Sequence, residues 1–352
     1  MLENTYAIIM AGGNGERFWP LSTPACPKQF LELFEGKALI RHAIDRLEGL
    51  IPHERIYVIT AARLAMKTRE ALPMLPTENI LEEPCRRDTA AAVAVACGLV
   101  LNKGGMDAVG CILTADHLIS PVEAFQQTLA DAVQMAGTER AIVTMGIVPT
   151  RPETGFGYIA CGDGIESSLS TPFCHVSRFV EKPNQETAQS YLDEGNYYWN
   201  SGMFVWSAKT MLDAFAQQAC DFVPMIESLA QTGDVSKILK VFYPGLHSIS
   251  IDYAVMERCE SILVARTTFK WDDVGSWNAI GNHFPQDENG NVAIGSVVSL
   301  DSSGNVLVET LPNHRIAVLG LTDVVVVSTP DAVLVCPKSK LKDLKKLVGQ
   351  LT

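Results

Sequence analysis

Short apolar runs that alternate with stretches of helical spacing constrain this chain more than any other feature. Residues 6–10, 56–60, Val109–Thr114 and 141–146 are such runs. They read as buried parallel strands, because a strand covered on both faces is apolar throughout and does not alternate. Apolar spacing predicts helices between them over 39–50, 62–72, 89–101 and 121–136. Strands alternating with helices of this length imply an α/β fold: a mostly parallel, Rossmann-like sheet flanked by helices. Ligands of such sheets bind outside the carboxyl ends of the strands. The loops after Met10 and Leu113 are therefore where chemistry is expected first.

From about residue 151 to 273 the alternation loosens, with strands expected over 174–180 and 198–206. Beyond Gly290 the texture changes again. Segments 296–300, Val306–Glu309, Ile316–Leu319 and Val324–Ser328 are short, β-branched and separated by turn residues, and a basic helix is expected over 338–351. The expected division is one large domain over 1–285 and a small C-terminal β-rich module over 286–352. Val324 to Val327 is unbroken apolar sequence that requires burial on both faces, and exposed strand edges are usually covered or paired. The module is therefore expected to pack on the main domain and to contribute to a homodimer.

A net charge of -12 excludes general attraction to nucleic acid or anionic lipid. Any phosphate ligand must be held by a local group of cations or by a metal. The longest apolar stretch, 90–101, is too short to span a bilayer, and the opening residues have no basic segment of the kind that starts a signal peptide. No membrane and no nucleic-acid partner are expected, and the location is expected to be cytoplasmic. Nine scattered cysteines without a Cys-x-x-Cys pair read as reduced thiols and not as a zinc site.

After the first strand comes Ala11-Gly12-Gly13-Asn14-Gly15-Glu16-Arg17, then Pro20-Leu21-Ser22 and Pro27-Lys28-Gln29-Phe30. Glycines there let backbone N–H groups approach a polyphosphate without Cβ obstruction. Arg17 and Lys28 add two cations suited to phosphate. Glycines alone fit a tight turn with solvated charges equally well. A dinucleotide fingerprint would need a third glycine where Phe18 stands, and a Walker loop would need Gly-Lys-Ser/Thr; neither is present.

The remaining pattern, Gly-Gly-x-Gly-x-Arg followed by Pro-Lys, resembles the signature of the sugar nucleotidylyltransferases, and its spelling resembles their mannose-1-phosphate guanylyltransferase branch. The likeness continues through Glu83-Pro84-Cys85-Arg86-Arg87-Asp88-Thr89-Ala90, Ala115-Asp116-His117, Gly155-Phe156-Gly157-Tyr158-Ile159 and Phe179-Val180-Glu181-Lys182-Pro183. It resumes at Trp199-Asn200-Ser201-Gly202-Met203-Phe204, at Ser250-Ile251-Asp252-Tyr253-Ala254-Val255-Met256-Glu257 and at Trp271-Asp272-Asp273-Val274-Gly275-Ser276-Trp277. Asp88, Ala91 and Thr114 depart from the family's usual Asn, Pro and Pro, in stretches that frame the base and ribose. The departures bear on nucleotide choice and not on the reaction. The long bifunctional members carry a further isomerase domain, and the resemblance here is to the short, monofunctional form.

The resemblance implies a nucleotidyltransferase fold, GTP and mannose 1-phosphate as substrates, and GDP-mannose and pyrophosphate as products, in polysaccharide biosynthesis. Same-class alternatives are another sugar 1-phosphate with another nucleoside triphosphate; a different class is a catalytically silent regulatory homologue. The reaction implied is attack of a sugar-phosphate oxygen on the α-phosphorus, with no covalent intermediate. It requires two anions to be brought together and developing charge to be stabilised.

By resemblance Arg17 faces the departing pyrophosphate and Lys28 the α-phosphate. Ala11, Gly12, Gly13, Gly15, Glu83, Pro84, Arg87 and Asp116 belong to nucleotide binding. Gly157, Glu181, Lys182 and Asn200 belong to the sugar, although a Glu-Lys pair before proline would on its own read as surface decoration, and Gly157 as a turn. Asp116 follows an apolar strand and so lies at the ligand end of the sheet, and the family pattern brings Asp273 to the same site. Two carboxylates facing a triphosphate imply a divalent cation, Mg2+ being the natural choice. Asp272 is the adjacent decoy. Asp88 is expected to cap the following helix, His117 carries no assigned chemistry, and Trp199 and Trp206 are expected in the core.

Overall fold

β1 (Thr5–Ala11) is buried almost throughout. In the computed structural model, which describes residues 1–13 and 15–351, it lies inside a nine-stranded sheet. The next strands along the chain are β2 (Ile56–Ala61), β3 (Ile80–Glu83), β4 (Val109–Thr114), β5 (Leu118–Ser120) and β6 (Ile142–Ile147). They are followed by β7 (Tyr158–Ile165), β8 (Phe173–Val180), β9 (Tyr197–Ser207), β10 (Ile262–Arg266) and β11 (Lys270–Asp272). The sheet order is β3-β2-β1-β4-β9-β6-β10-β8-β7, with β5 and β11 outside it.

Pairing is parallel from β3 to β4, with Ile8 opposite both Tyr57 and Ile112. β9 enters antiparallel to β4 and β6, and β8 antiparallel to β10 and β7. Three of the four continuous apolar runs, β1, β2 and β4, lie in the parallel half, while the fourth, β6, lies in the mixed half between β9 and β10. β3 was not expected; its Ile-Leu-Glu-Glu sequence has too few apolar residues to announce a strand, and it lies at the sheet edge. The helix Asp88–Gly104 is Ala-rich and buried from Ala90 to Val100. The helix expected over 39–50 ends at Asp45; the next N–H groups turn back to the third residue before them, and Gly49 takes a left-handed φ of 76°.

The chain forms two compact units. The first comprises Met1–Gly12, Ala43–Ala115 and Ile119–Trp271 and holds the nine-stranded sheet; the second comprises Gly13–His42, Asp116–Leu118 and Asp272–Thr352. In the second unit lie β12 (Val292–Ile294), β13 (Val297–Leu300), β14 (Val306–Glu309), β15 (Ile316–Leu319), β16 (Val324–Ser328) and β17 (Val333–Pro337). β12, β14 and β16 stack in parallel in one sheet, closed by antiparallel β17, while β13 and β15 pair in parallel in another. Successive strands thus alternate between two small sheets, as in a β-helix. Val306, Val308, Val325 and Val327 are fully buried and form a core with Phe18 and Trp277. Buried Asn305 donates to the Asn291 side chain (2.9 Å) and to the Leu321 carbonyl (2.9 Å), satisfying polar groups at the coil's turns. The expected basic helix is a 3-10 turn over Lys338–Asp343 followed by α-helix only over Leu344–Val348.

The cysteines correct one expectation. Cys161 on β7 and Cys174 on β8 are joined as a disulfide with their Cα atoms 5.8 Å apart. Their separation of 13 residues carries no signal, because it is the strand pairing that brings them together. The other seven are free thiols. Among the described residues no helix is long and apolar enough to cross a membrane.

Candidate active site

The first unit's opening segment ends at Gly12, and from Gly13 the glycine loop belongs to the second unit, where Gly15 packs on Lys28. Ala11 ends β1 buried, Gly12 and Gly13 are exposed, and Asn14 lies outside the described residues. Gly15 has a φ of 60°, and a Cβ there would lie 2.5 Å from the Lys28 backbone nitrogen, so only glycine lets the loop close on Pro27-Lys28. The 3-10 turn Glu16–Phe18 exposes Arg17 and buries Phe18, whose ring centroid is 5.1 Å from that of Trp277. Lys28 is almost wholly buried. Its Nζ donates to Asp116 Oδ2 (2.9 Å) and to the Asp273 carbonyl oxygen.

Burial works to raise the Asp116 pKa, but the Lys28 ammonium, with His117 and Arg17 behind it, outweighs that and holds the carboxyl below its usual range. His117 Nε2 lies 3.6 Å from Asp116 Oδ1. Asp273 goes the other way: burial raises it, Lys28 opposes, and the Asp272 and Asp116 carboxylates add to the rise. The Asp272 carboxylate is occupied, accepting from Val274 N–H (2.7 Å), His283 Nε2 (2.9 Å) and Asn282 Nδ2 (3.4 Å). Val274, buried and β-branched, has a φ of 45°. This is a strained conformation, and such conformations cluster at functional sites.

A second cluster belongs to the first unit. Gly157 on the approach to β7 accepts from the Asn200 N–H through its carbonyl (2.8 Å), and a Cβ at Gly157 would lie 2.7 Å from Glu181 Oε2. Lys182 takes a φ of 45°, and its Nζ donates to Glu181 Oε1, a bond that raises its pKa despite partial burial. Asn200 Oδ1 accepts from Gly202 N–H (3.1 Å) and Thr144 Oγ1 (3.3 Å), while its Nδ2 donates to Asp252 Oδ1 (3.1 Å). Asp252 stands in the block Ser250 to Glu257, whose likeness to the family assigns it no role. Its alignment with Asn200 arises from chain folding and leaves no mark in local spacing. Trp199 and Trp206 are buried, as expected, though Arg151 also stacks over the Trp199 ring at 5.2 Å.

A third group, also in the first unit, lies after β3. Tyr243 Oη donates to Glu83 Oε1, and Arg87 Nη2 donates to the Pro244 carbonyl. Burial raises the Glu83 pKa against the Tyr243 hydrogen bond. The cap expected from Asp88 is not formed. Asp88 is the first residue of the helix, and Arg87 before it makes no side-chain cap bond. The Asp88 carboxylate, at a φ of 63°, accepts from the adjacent Thr89 N–H (2.8 Å) and not from the later N–H groups that a cap would satisfy. Thr89 Oγ1 accepts from the Ile251 N–H (2.8 Å). Pro84 lines a separate cavity of about 710 Å3 that includes none of the other candidate residues among those described.

Arg17, Lys28, Asp116 and Asp273 thus share one electrostatic group, Gly157, Glu181, Lys182 and Asn200 a second, and Glu83 and Arg87 a third. No set of three or more His, Cys, Asp or Glu that could hold a metal occurs among the described residues. Cations and carboxylates of this kind suit binding and charge stabilisation of anions, and no Ser or Cys with a paired base stands among them.

A family model described as nucleotidyl transferase matches residues 6–290, and one described as MannoseP isomerase/GMP-like beta-helix domain matches 295–351. Mannose-1-phosphate guanylyltransferase of Klebsiella pneumoniae is 39% identical over 350 residues, 97% of this chain and 72% of that one. Xanthan biosynthesis protein XanB of Xanthomonas campestris pv. campestris (strain B100) is 36% identical over 360 residues, 99% of this chain and 74% of that one. A crystal structure from Thermus thermophilus, described as mannose-1-phosphate geranyltransferase, superposes with a TM-score of 0.86 at 36% identity, covering 99% of each chain. The chain belongs to the nucleotidyl transferase family, and within it to the mannose-1-phosphate guanylyltransferases.

Proposed function

We propose that this protein transfers a guanylyl group from GTP to α-D-mannose 1-phosphate, giving GDP-mannose and pyrophosphate. The observation that carries this reading is the buried Lys28 ammonium, held by Asp116 and the Asp273 carbonyl in the same electrostatic group as Arg17. Lys28 binds and orients the α-phosphate, and Arg17 receives charge developing on the pyrophosphate. The loop Ala11, Gly12, Gly13 and Gly15 offers backbone N–H groups to the phosphates, and Glu83, Pro84 and Arg87 frame the base. Glu181, Asn200 and Gly157 take sugar hydroxyls, and Lys182 takes the sugar phosphate. The incoming phosphate oxygen is already ionised at neutral pH, so no side chain needs to remove a proton.

Asp116 and Asp273 would hold Mg2+. Both are oxygen donors in electrostatic reach of each other, and magnesium is usually bound through one or two carboxylates together with substrate phosphates. Such an ion, when bound, supplies positive charge to the reacting phosphates.

The complete set of Arg17, Lys28, Asp116, Lys182 and Asp273 favours an active enzyme over a silent regulatory homologue. Division into a catalytic domain over 1–285 and a module over 286–352 is supported by the two family matches. A role in polysaccharide biosynthesis is supported by the likeness to XanB. Assembly as a homodimer is supported by the exposed outer face of β13 and β15, where Val298, Leu300 and Leu319 are all exposed. Parallel strands are normally covered on both sides, and a second copy would present a self-complementary apolar face. Incubation with GTP labelled at the α-phosphate tests the reaction class. Label is expected in the sugar nucleotide and none on the protein; label retained covalently by the protein overturns direct transfer.

A further inference from the structure

The geometry points to Asp252 as a specificity-determining residue of the sugar subsite: its Oδ1 fixes Asn200, and its remaining acceptor capacity takes a hexose hydroxyl beside the one taken by Glu181. This rests on the sugar-binding role proposed for the Glu181 cluster.

Hydrogen-bond capacity carries the first part. An amide side chain has one oxygen with two lone pairs and two N–H donors. The Asn200 oxygen already accepts from Gly202 N–H and Thr144 Oγ1, and one Nδ2 donor goes to Asp252 Oδ1 at 3.1 Å. Asn200 therefore has one N–H left for a ligand, and Asp252, together with the two donors on the amide oxygen, fixes where that N–H points. An ionised carboxylate has about four acceptor sites, so the bonds to Asn200 and to its own backbone N–H leave Asp252 capacity for a further donor.

Charge carries the second part. Asp252 lies on the short helix Ile251–Ala254, within electrostatic reach of Glu181 and Lys182. Two acids thus face one lysine, and that lysine is already bonded to Glu181. Burial and the Glu181 carboxylate raise the Asp252 pKa to about 6, against Asn200 and Lys182. Adjacent buried acids cost stability unless a ligand supplies hydrogen-bond donors. Neighbouring sugar hydroxyls supply two neutral donors side by side. They suit a pair of carboxylates better than a phosphate, which both acids would repel.

Asp252→Asn tests this, because asparagine keeps the shape and an oxygen to accept from Asn200 while losing the charge. Calorimetric binding and steady-state kinetics are measured with mannose 1-phosphate and with its monodeoxy analogues. Sugar-phosphate KM and Kd are expected to rise about ten- to a hundredfold, the scale for a hydrogen bond to a charged group, with KM for GTP unchanged. One deoxy analogue that penalises the wild type should carry no further penalty in the variant. Equal sugar affinity in Asp252→Asn, with the full penalty at every deoxy position, would reduce Asp252 to a support for Asn200 and overturn the proposal. The wild-type deoxy series needs no variant to fold: tolerance of removal at every hydroxyl overturns the proposal by itself. Wild-type protein that binds no hexose 1-phosphate sinks the functional reading, whereas binding unchanged by Asp252→Asn sinks only this one.

Discussion

The Lys28 ammonium donates to Asp116 Oδ2 at 2.9 Å and to the Asp273 carbonyl, 245 residues away in sequence, so one buried cation ties together both acids proposed to face the phosphates. Replacing Lys28 with Met keeps the aliphatic stem and removes the charge. Turnover is expected to fall by about two to three orders of magnitude, the scale for losing a preorganised electrostatic group. Lys28 is the leading influence holding Asp116 low, so the Asp116 titration followed by carboxyl NMR should move up in the variant. Near-normal turnover with an unmoved Asp116 would show that the contact is ornamental.

Asp272 and Asp273 are neighbours with opposite expected phenotypes. Asp272 accepts from Val274, His283 and Asn282, so Asp272→Ala should lower stability by about 1–3 kcal/mol and matter less to turnover. Asp273 has a raised pKa in the fold, which means that its ionised form is disfavoured there. Asp273→Ala should therefore leave the unfolding midpoint at neutral pH unchanged or higher while cutting turnover by about two orders of magnitude. Asp116→Ala should cut turnover similarly, and excess EDTA should abolish it. An active Asp273→Ala enzyme beside a dead Asp272→Ala enzyme, or full activity in EDTA, would reverse the assignment.

Stability should also respond to pH through Asp252. Its pKa rises from 3.8 to about 6 because of burial and Glu181, with Asn200 and Lys182 opposing. A raised folded value means that its contribution is fully present below the unfolded pKa and is lost as pH climbs through about 6. Asp252→Asn lacks that titration. The variant's unfolding free energy relative to wild type should therefore grow more favourable between pH 4 and pH 7. A difference independent of pH, from denaturant unfolding at each pH, would rule this out.

Much of this was readable from the chain, for identifiable reasons. Val306–Glu309, Ile316–Leu319 and Val324–Ser328 match their expected bounds because turn residues punctuate each run. The loop around Lys28 was legible because glycines and cations are adjacent in sequence. Asp252 was not, since its meaning depends on Asn200, 52 residues away. Tyr243, which holds Glu83 from 160 residues away, was invisible for the same reason. Local spacing reports which residues share a strand or a loop, while long-range hydrogen bonds are set by chain folding.

The specificity constant for each pairing of GTP, ATP, UTP and dTTP with mannose 1-phosphate and glucose 1-phosphate, followed by pyrophosphate release, tests the proposed reaction most directly. GTP with mannose 1-phosphate should give the highest kcat/KM of the set and GDP-mannose as the product. A higher value for dTTP with glucose 1-phosphate would contradict the substrate assignment, and no pyrophosphate from any pair would contradict the reaction itself.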